Sequence, residues 1–90
     1  MDLERDVEQA LVRAVDRLGG LCLKHGQDGW PDRIVVLPGG RLWWVELKRP
    51  QGKLADLQQY RAAELDKVGQ QVVCLWSKDD VVAWIQGITE

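Results

Sequence analysis

Apolar residues recur every three or four positions at Leu3, Val7, Ala10, Leu11, Ala14 and Leu18, which predicts an amphipathic helix over residues 3–18 that Gly19-Gly20 ends. Leu21-Cys22-Leu23-Lys24 is a short apolar run suited to a first strand. The stretch from His25 to Pro31 is rich in residues that interrupt regular structure and reads as a loop. Residues 32–37 and 42–48 predict two strands around Pro38-Gly39-Gly40, hence an antiparallel hairpin. A second helix is expected from about Leu54 to Val68, with Leu54, Leu57, Leu65 and Val68 as its buried stripe and Gly69 as a left-handed C-cap. Val72 to Trp76 is another strand. Ser77 can accept from an early helix N–H while Asp80 reaches back, so Ser77-Lys78-Asp79-Asp80 opens a last helix through Ile85. The order αβββαβα predicts an α/β domain with a central mixed sheet flanked by helices, the first helix lying against it.

Composition narrows the class. A 90-residue chain that is 46% hydrophobic and 29% charged is neither disordered nor fibrous, and its length allows a single domain over 1–90. No run approaches the roughly 20 apolar residues of a membrane span. Eight charges among the first 17 residues exclude a signal peptide, so a cytoplasmic protein without a membrane partner is expected. Cys22 and Cys74 have no CxxC or Cys/His neighbours, which leaves them as buried thiols rather than zinc ligands or a disulfide. The net charge of −2 hides an asymmetry: residues 24–53 hold six basic against three acidic groups, while both flanks are acidic. A central positive zone that contains its own carboxylates is a footprint for an anion, bound directly or through a metal.

On the second hairpin strand side chains alternate, so Leu42, Trp44, Glu46 and Lys48 share one face and Trp43, Val45 and Leu47 the other. A three-residue turn pairs Leu37 with Arg41, and the same register sets Asp32 opposite Glu46. Cβ atoms of directly opposed residues lie roughly 4.5–5.5 Å apart, close enough for two carboxylates to grip one cation. A turn one residue different would separate them.

Two adjacent carboxylates on a hairpin of Leu, Trp and Val repel each other and are costly to desolvate unless a cation or protons compensate. All-oxygen ligation selects a hard ion, and an incomplete shell of two carboxylates plus a carbonyl suits Mg²⁺, which keeps waters and binds phosphate oxygens. Lys48 would then sit beside the attacking water, holding it in line with a phosphorus atom or stabilising developing charge. The competing account makes Glu46-x-Lys48 an exposed cross-strand salt bridge. In the second helix Gln58 and Arg61 fall on the inward arc, where polar groups need partners. Either the Arg61 stem packs on the sheet with its head at the surface, or both residues face the pocket or a nearby phosphate. His25, a lone loop histidine, is expected in solvent. Trp43 and Trp44 point to opposite faces, so both are buried only if helices or a second subunit cover both sides.

Gly29-Trp30-Pro31-Asp32-Arg33, then Glu46-Leu47-Lys48, then Gln58, all preceded by Glu8, resemble the VRR-NUC family of the PD-(D/E)XK nuclease superfamily. The likeness runs from about Glu4 to Ile85, and the small length resembles stand-alone phage and bacterial members. It implies a restriction-endonuclease-like αβββαβ core and phosphodiester hydrolysis in DNA that leaves 5′-phosphates, in a bacterial or phage-infected cell. It also implies that Asp32, Glu46 and the Leu47 carbonyl ligate Mg²⁺ or Mn²⁺, with no small-molecule cofactor. Lys48 would orient or activate the water, Gln58 would help hold Lys48 or the phosphate, and Glu8 would close the site from the first helix. The family's spacing to the Gly19-Gly20 pair selects Glu8, with Glu4 as its rival, because helix geometry sets Glu8 at the flank of the apolar stripe and Glu4 nearer its centre. Lys24, Arg33, Arg49, Lys53 and Arg61 read as contacts to DNA phosphates.

Concerted cutting of two strands needs two centres, so the expected form is a homodimer. The resemblance to stand-alone members of this family, which are associated with dimeric cleavage of four-way junctions, implies a Holliday-junction resolvase as the leading specific reading. A flap- or other structure-selective nickase is one alternative, and a noncatalytic binding module that kept the fold is another.

Overall fold

The computed structural model describes residues 2–48 and 52–90. Its elements follow the predicted order: α1 (Glu4–Arg17), β1 (Leu21–Lys24), β2 (Arg33–Leu37), β3 (Arg41–Leu47), α2 (Asp56–Lys67), β4 (Val72–Leu75) and α3 (Lys78–Thr89). The last helix runs four residues beyond the expected Ile85. Ser77 Oγ accepts from the Asp80 amide at 3.0 Å, as a helix-opening cap should, while the Asp80 carboxylate reaches one residue further back, to the Trp76 amide at 2.9 Å.

The sheet has the order β1-β2-β3-β4, with antiparallel pairing in the first two ladders and parallel pairing between β3 and β4. Pro38, Gly39 and Gly40 make the three-residue turn, with positive φ at both glycines, and the hairpin register runs from Leu37↔Arg41 to Arg33↔Val45 as expected.

α1 and α3 cover one face of the sheet. Val7, Leu11 and Val15 of α1 and Val81 of α3 bury against Val35, Leu37, Trp43, Val45, Leu47 and Leu75. Each such side chain contributes about 1.5–3 kcal/mol on leaving water. Trp43 closes this layer edge-on against Trp84, centroids 5.6 Å apart. The entry of β1 beneath α1 depends on Gly20. A Cβ at this position would lie 2.7 Å from both the Val36 carbonyl oxygen and Leu37 Cδ2, and 3.0 Å from Val15 Cγ1. Gly20→Ala is therefore expected to cost about 1–3 kcal/mol, a fall in Tm of at least roughly 5 °C by thermal denaturation.

The other face is covered differently from expectation. Of the predicted α2 stripe only Leu65 is buried, whereas Leu57 is 46% and Val68 73% exposed. The reason is that the loop after β1 folds over this face first. His25 and Trp30 lie against Trp44, with centroids 5.5 and 6.3 Å away, and α2 rests on Trp30 through the Arg61 guanidinium, 4.8 Å from its ring centroid. His25 is thus half-buried rather than free in solvent. Both hairpin tryptophans are covered, Trp43 by helices and Trp44 by this loop.

Candidate active site

β3 positions the site because its alternation continues to its end. Trp43, Val45 and Leu47 enter the helical layer, so Glu46 must emerge on the opposite face. Its partners come from both neighbours. The β2–β3 register carried one step past Arg33↔Val45 opposes Asp32 to Glu46, and the parallel ladder pairs Glu46 with Cys74. The His25 amide donates to the Asp32 carbonyl at 2.8 Å, which extends the β1–β2 ladder by the same step. His25, Asp32, Glu46 and Cys74 therefore form one row across four strands.

Glu46 is 4% exposed, the only buried charged residue among those described. Burial, then the hydrogen bond that its protonated carboxyl donates to Asp32 and the charge of Asp32, push it from the ordinary 4.5 up to about 8, while Lys48 draws it down and Glu4 adds a small upward push. Asp32 is held in place by the Leu47 amide, which donates to its Oδ2 at 2.9 Å. A strand residue presents its N–H and C=O on the same edge, so the Leu47 carbonyl also lies on the Asp32 side. The Lys48 amide turns the other way and donates to the Leu75 carbonyl at 3.0 Å. The Cys74 thiol is pushed up to about 11, first by burial and then by Glu46. The thiol is half-buried rather than fully buried as expected, and its place beside Glu46 follows from the parallel pairing and not from local sequence.

The remaining expected site residues divide into two groups. Lys48 joins Asp32 and Glu46, and Glu4 is the first-helix carboxylate that acts on Glu46. Glu8 instead accepts from Arg33 Nε at 2.9 Å, and Arg33 Nη1 donates to the Cys22 carbonyl at 3.1 Å. With its side chain only 14% exposed, Arg33 is a strut between α1 and β1 rather than a free phosphate contact. The alternation of β2 already held this signal, since Arg33 must face away from Asp32. Gln58 Oε1 takes the Ala55 amide at 2.9 Å, capping the start of α2. Lys24 and Lys53 are exposed, and Arg49 lies outside the described residues. Arg61 pairs with Glu64 and stacks on Trp30.

A buried Glu46 against a half-buried Asp32 fits a divalent ion, because ligation removes both the repulsion and the desolvation cost that hold Glu46 near 8. Among the described residues no third His, Cys, Asp or Glu joins it to make a closed cage. An open oxygen-only shell of this kind suits Mg²⁺ or Mn²⁺, whose other positions go to water and phosphate. Two clefts of about 460 and 470 Å³ lie elsewhere, beside the hairpin turn and between α1 and α3, and neither includes Asp32, Glu46 or Lys48.

Comparison with known proteins bears on this arrangement. No family model matches the chain. A protein of Acyrthosiphon pisum secondary endosymbiont phage 1, named "Putative nuclease p44", is 39% identical over 79 residues, spanning 84% of this chain and 85% of that protein. A solved structure described as "VRR_NUC domain" superposes with a TM-score of 0.84 at 31% identity, over 92% of this chain and 94% of the other.

Proposed function

Because the chain belongs to the VRR-NUC family of nucleases, we propose that it is a Mg²⁺- or Mn²⁺-dependent endodeoxyribonuclease that acts on branched DNA as a homodimer. The observation that carries this reading is the buried Glu46 paired with the half-buried Asp32 beside Lys48, an arrangement that is costly by itself and becomes useful with a hard ion. Asp32, Glu46 and the Leu47 carbonyl would hold the ion, which when bound supplies a Lewis acid for the scissile phosphate. Lys48 points from the same face as Glu46, so its ammonium can hold the attacking water and neutralise charge that develops on the phosphate oxygens. Glu4 closes the site from α1. The exposed Lys24 and Lys53 contact neighbouring phosphates.

One 90-residue domain offers one cutting centre. Paired cuts across a four-way junction need two, and a twofold dimer is the simplest way to supply them. The test compares four-way junction, flap, nicked and linear DNA at equal salt, since backbone affinity falls steeply with salt. Expected results are paired symmetric nicks in the junction with Mg²⁺ or Mn²⁺, and a dimer by light scattering. A monomer that cuts the junction no better than duplex would refute the resolvase assignment. Preferential cutting of the flap would make the protein a flap nickase.

A further inference from the structure

Resting on the DNA reading above, we propose that Tyr60 and the Arg61 guanidinium form a stacking platform for one unpaired base of the substrate, on the same surface as the acid pair. The rings on this face form a continuous series. His25 meets Trp44 at 5.5 Å between centroids, Trp44 meets Trp30 at 6.3 Å, and the Arg61 guanidinium lies 4.8 Å from the Trp30 ring and 5.5 Å from that of Tyr60. Its inner members are half-buried, while Tyr60 at the outer end is 57% exposed. The guanidinium thus lies within cation–π reach of both a covered ring and an exposed one.

Packing alone does not account for Arg61. Its Nε is buried without an acceptor, and only Nη1 is engaged, by Glu64. An unsatisfied buried donor costs about 1–3 kcal/mol, which a leucine or methionine holding α2 against Trp30 would avoid. A cation stacked beside an exposed ring is instead the pairing that a nucleotide matches, with its base on the ring and its phosphate near the charge.

Position ties the platform to the chemistry. Trp30 stands two residues before Asp32, and Trp44 lies two residues from Glu46 on the same strand face, about 7 Å along the strand. A base inside a duplex has both π faces covered by its neighbours, so only an unpaired base at a branch, flap or opened junction can occupy Tyr60.

The experiment measures binding without divalent metal, by anisotropy at fixed salt, for a flap bearing unpaired bases and for a fully paired duplex of equal length. Wild type should bind the flap more tightly. Tyr60→Ala should lose about ten-fold on the flap with duplex affinity unchanged, and Tyr60→Phe should keep the wild-type preference. 2-Aminopurine at the unpaired position should be quenched by wild type and by Tyr60→Phe but not by Tyr60→Ala. Equal affinity of Tyr60→Ala and wild type for the flap, or an equal loss on both DNAs, would overturn the platform and leave the nuclease reading intact. If wild type bound neither DNA, both would fall.

Discussion

Replacing Glu46 with glutamine should make the metal-free protein more stable and cleavage at least on the order of 10³-fold slower. The stability half follows from linkage. Glu46 is 4% exposed, and burial together with Asp32 lifts its carboxyl from 4.5 to about 8 in the folded chain. A raised folded-state value means that the native protein binds a proton the unfolded chain has released, so stability is intact below about pH 4.5 and is lost as pH rises through about 8. Within that window the loss approaches about 1.4 kcal/mol per pH unit. Glutamine is uncharged and cannot incur it, and its amide can still donate to Asp32. The Tm advantage of Glu46→Gln should therefore be negligible at pH 4.5, the ordinary value, and exceed about 5 °C at pH 8.5. The activity half follows because the same substitution removes an anionic ligand, and metal-ion catalysis supplies several kcal/mol of transition-state stabilisation.

Added Mn²⁺ should reverse the wild-type trend, since the ion favours the deprotonated pair, so its apparent affinity should rise with pH up to about 8. Calorimetric scans at the two pH values with and without Mn²⁺ test the stability half, and single-turnover cleavage tests the activity half. A variant no more stable than wild type at pH 8.5 would show that the acid pair carries no strain.

This site was legible where local rules determine it. A three-residue turn fixes hairpin register, and register with alternation brings Asp32 to Glu46 and Lys48 to the same face, before any tertiary contact is considered. The parallel neighbour was not legible. β4 reaches Glu46 only through a crossover whose docking depends on the whole sheet, so Cys74 beside the acid pair has no local signature. The rotation of α1 was legible in part. The apolar stripe correctly placed Val7 and Leu11 inward and pointed to Glu4, whereas spacing to the glycine pair pointed to Glu8, which the structure commits to Arg33. The α2 pattern misled because a helix stripe shows which side is apolar, not whether a surface is free to receive it. Trp30 and His25 already occupied that surface, and Leu57 and Val68 were left outside.

Lys48→Ala should keep the metal and lose turnover by about 10²–10⁴-fold. Among the described residues Lys48 is the one cation that draws the Glu46 carboxyl downward. Its removal has two opposed effects on metal uptake: it relieves repulsion between the ammonium and the incoming ion, and it lets Glu46 hold its proton to higher pH. Above the titration of Glu46 only the first effect remains, so at pH 9.5 the variant should bind Mn²⁺ at least as tightly as wild type. At pH 7 proton competition should weaken binding, and the midpoint of the affinity–pH curve should move upward. A ligand mutation would instead weaken binding at both pH values. Lys48→Arg should restore the charge and the metal-binding curve but little turnover, because a guanidinium fork cannot place its charge as a compact ammonium does. Mn²⁺ titrations and single-turnover cleavage on the preferred substrate, both at the two pH values, separate these effects. If Lys48→Ala cut DNA within ten-fold of wild type, Lys48 would be only a counter-charge for Glu46, and the water would have to be positioned from another residue.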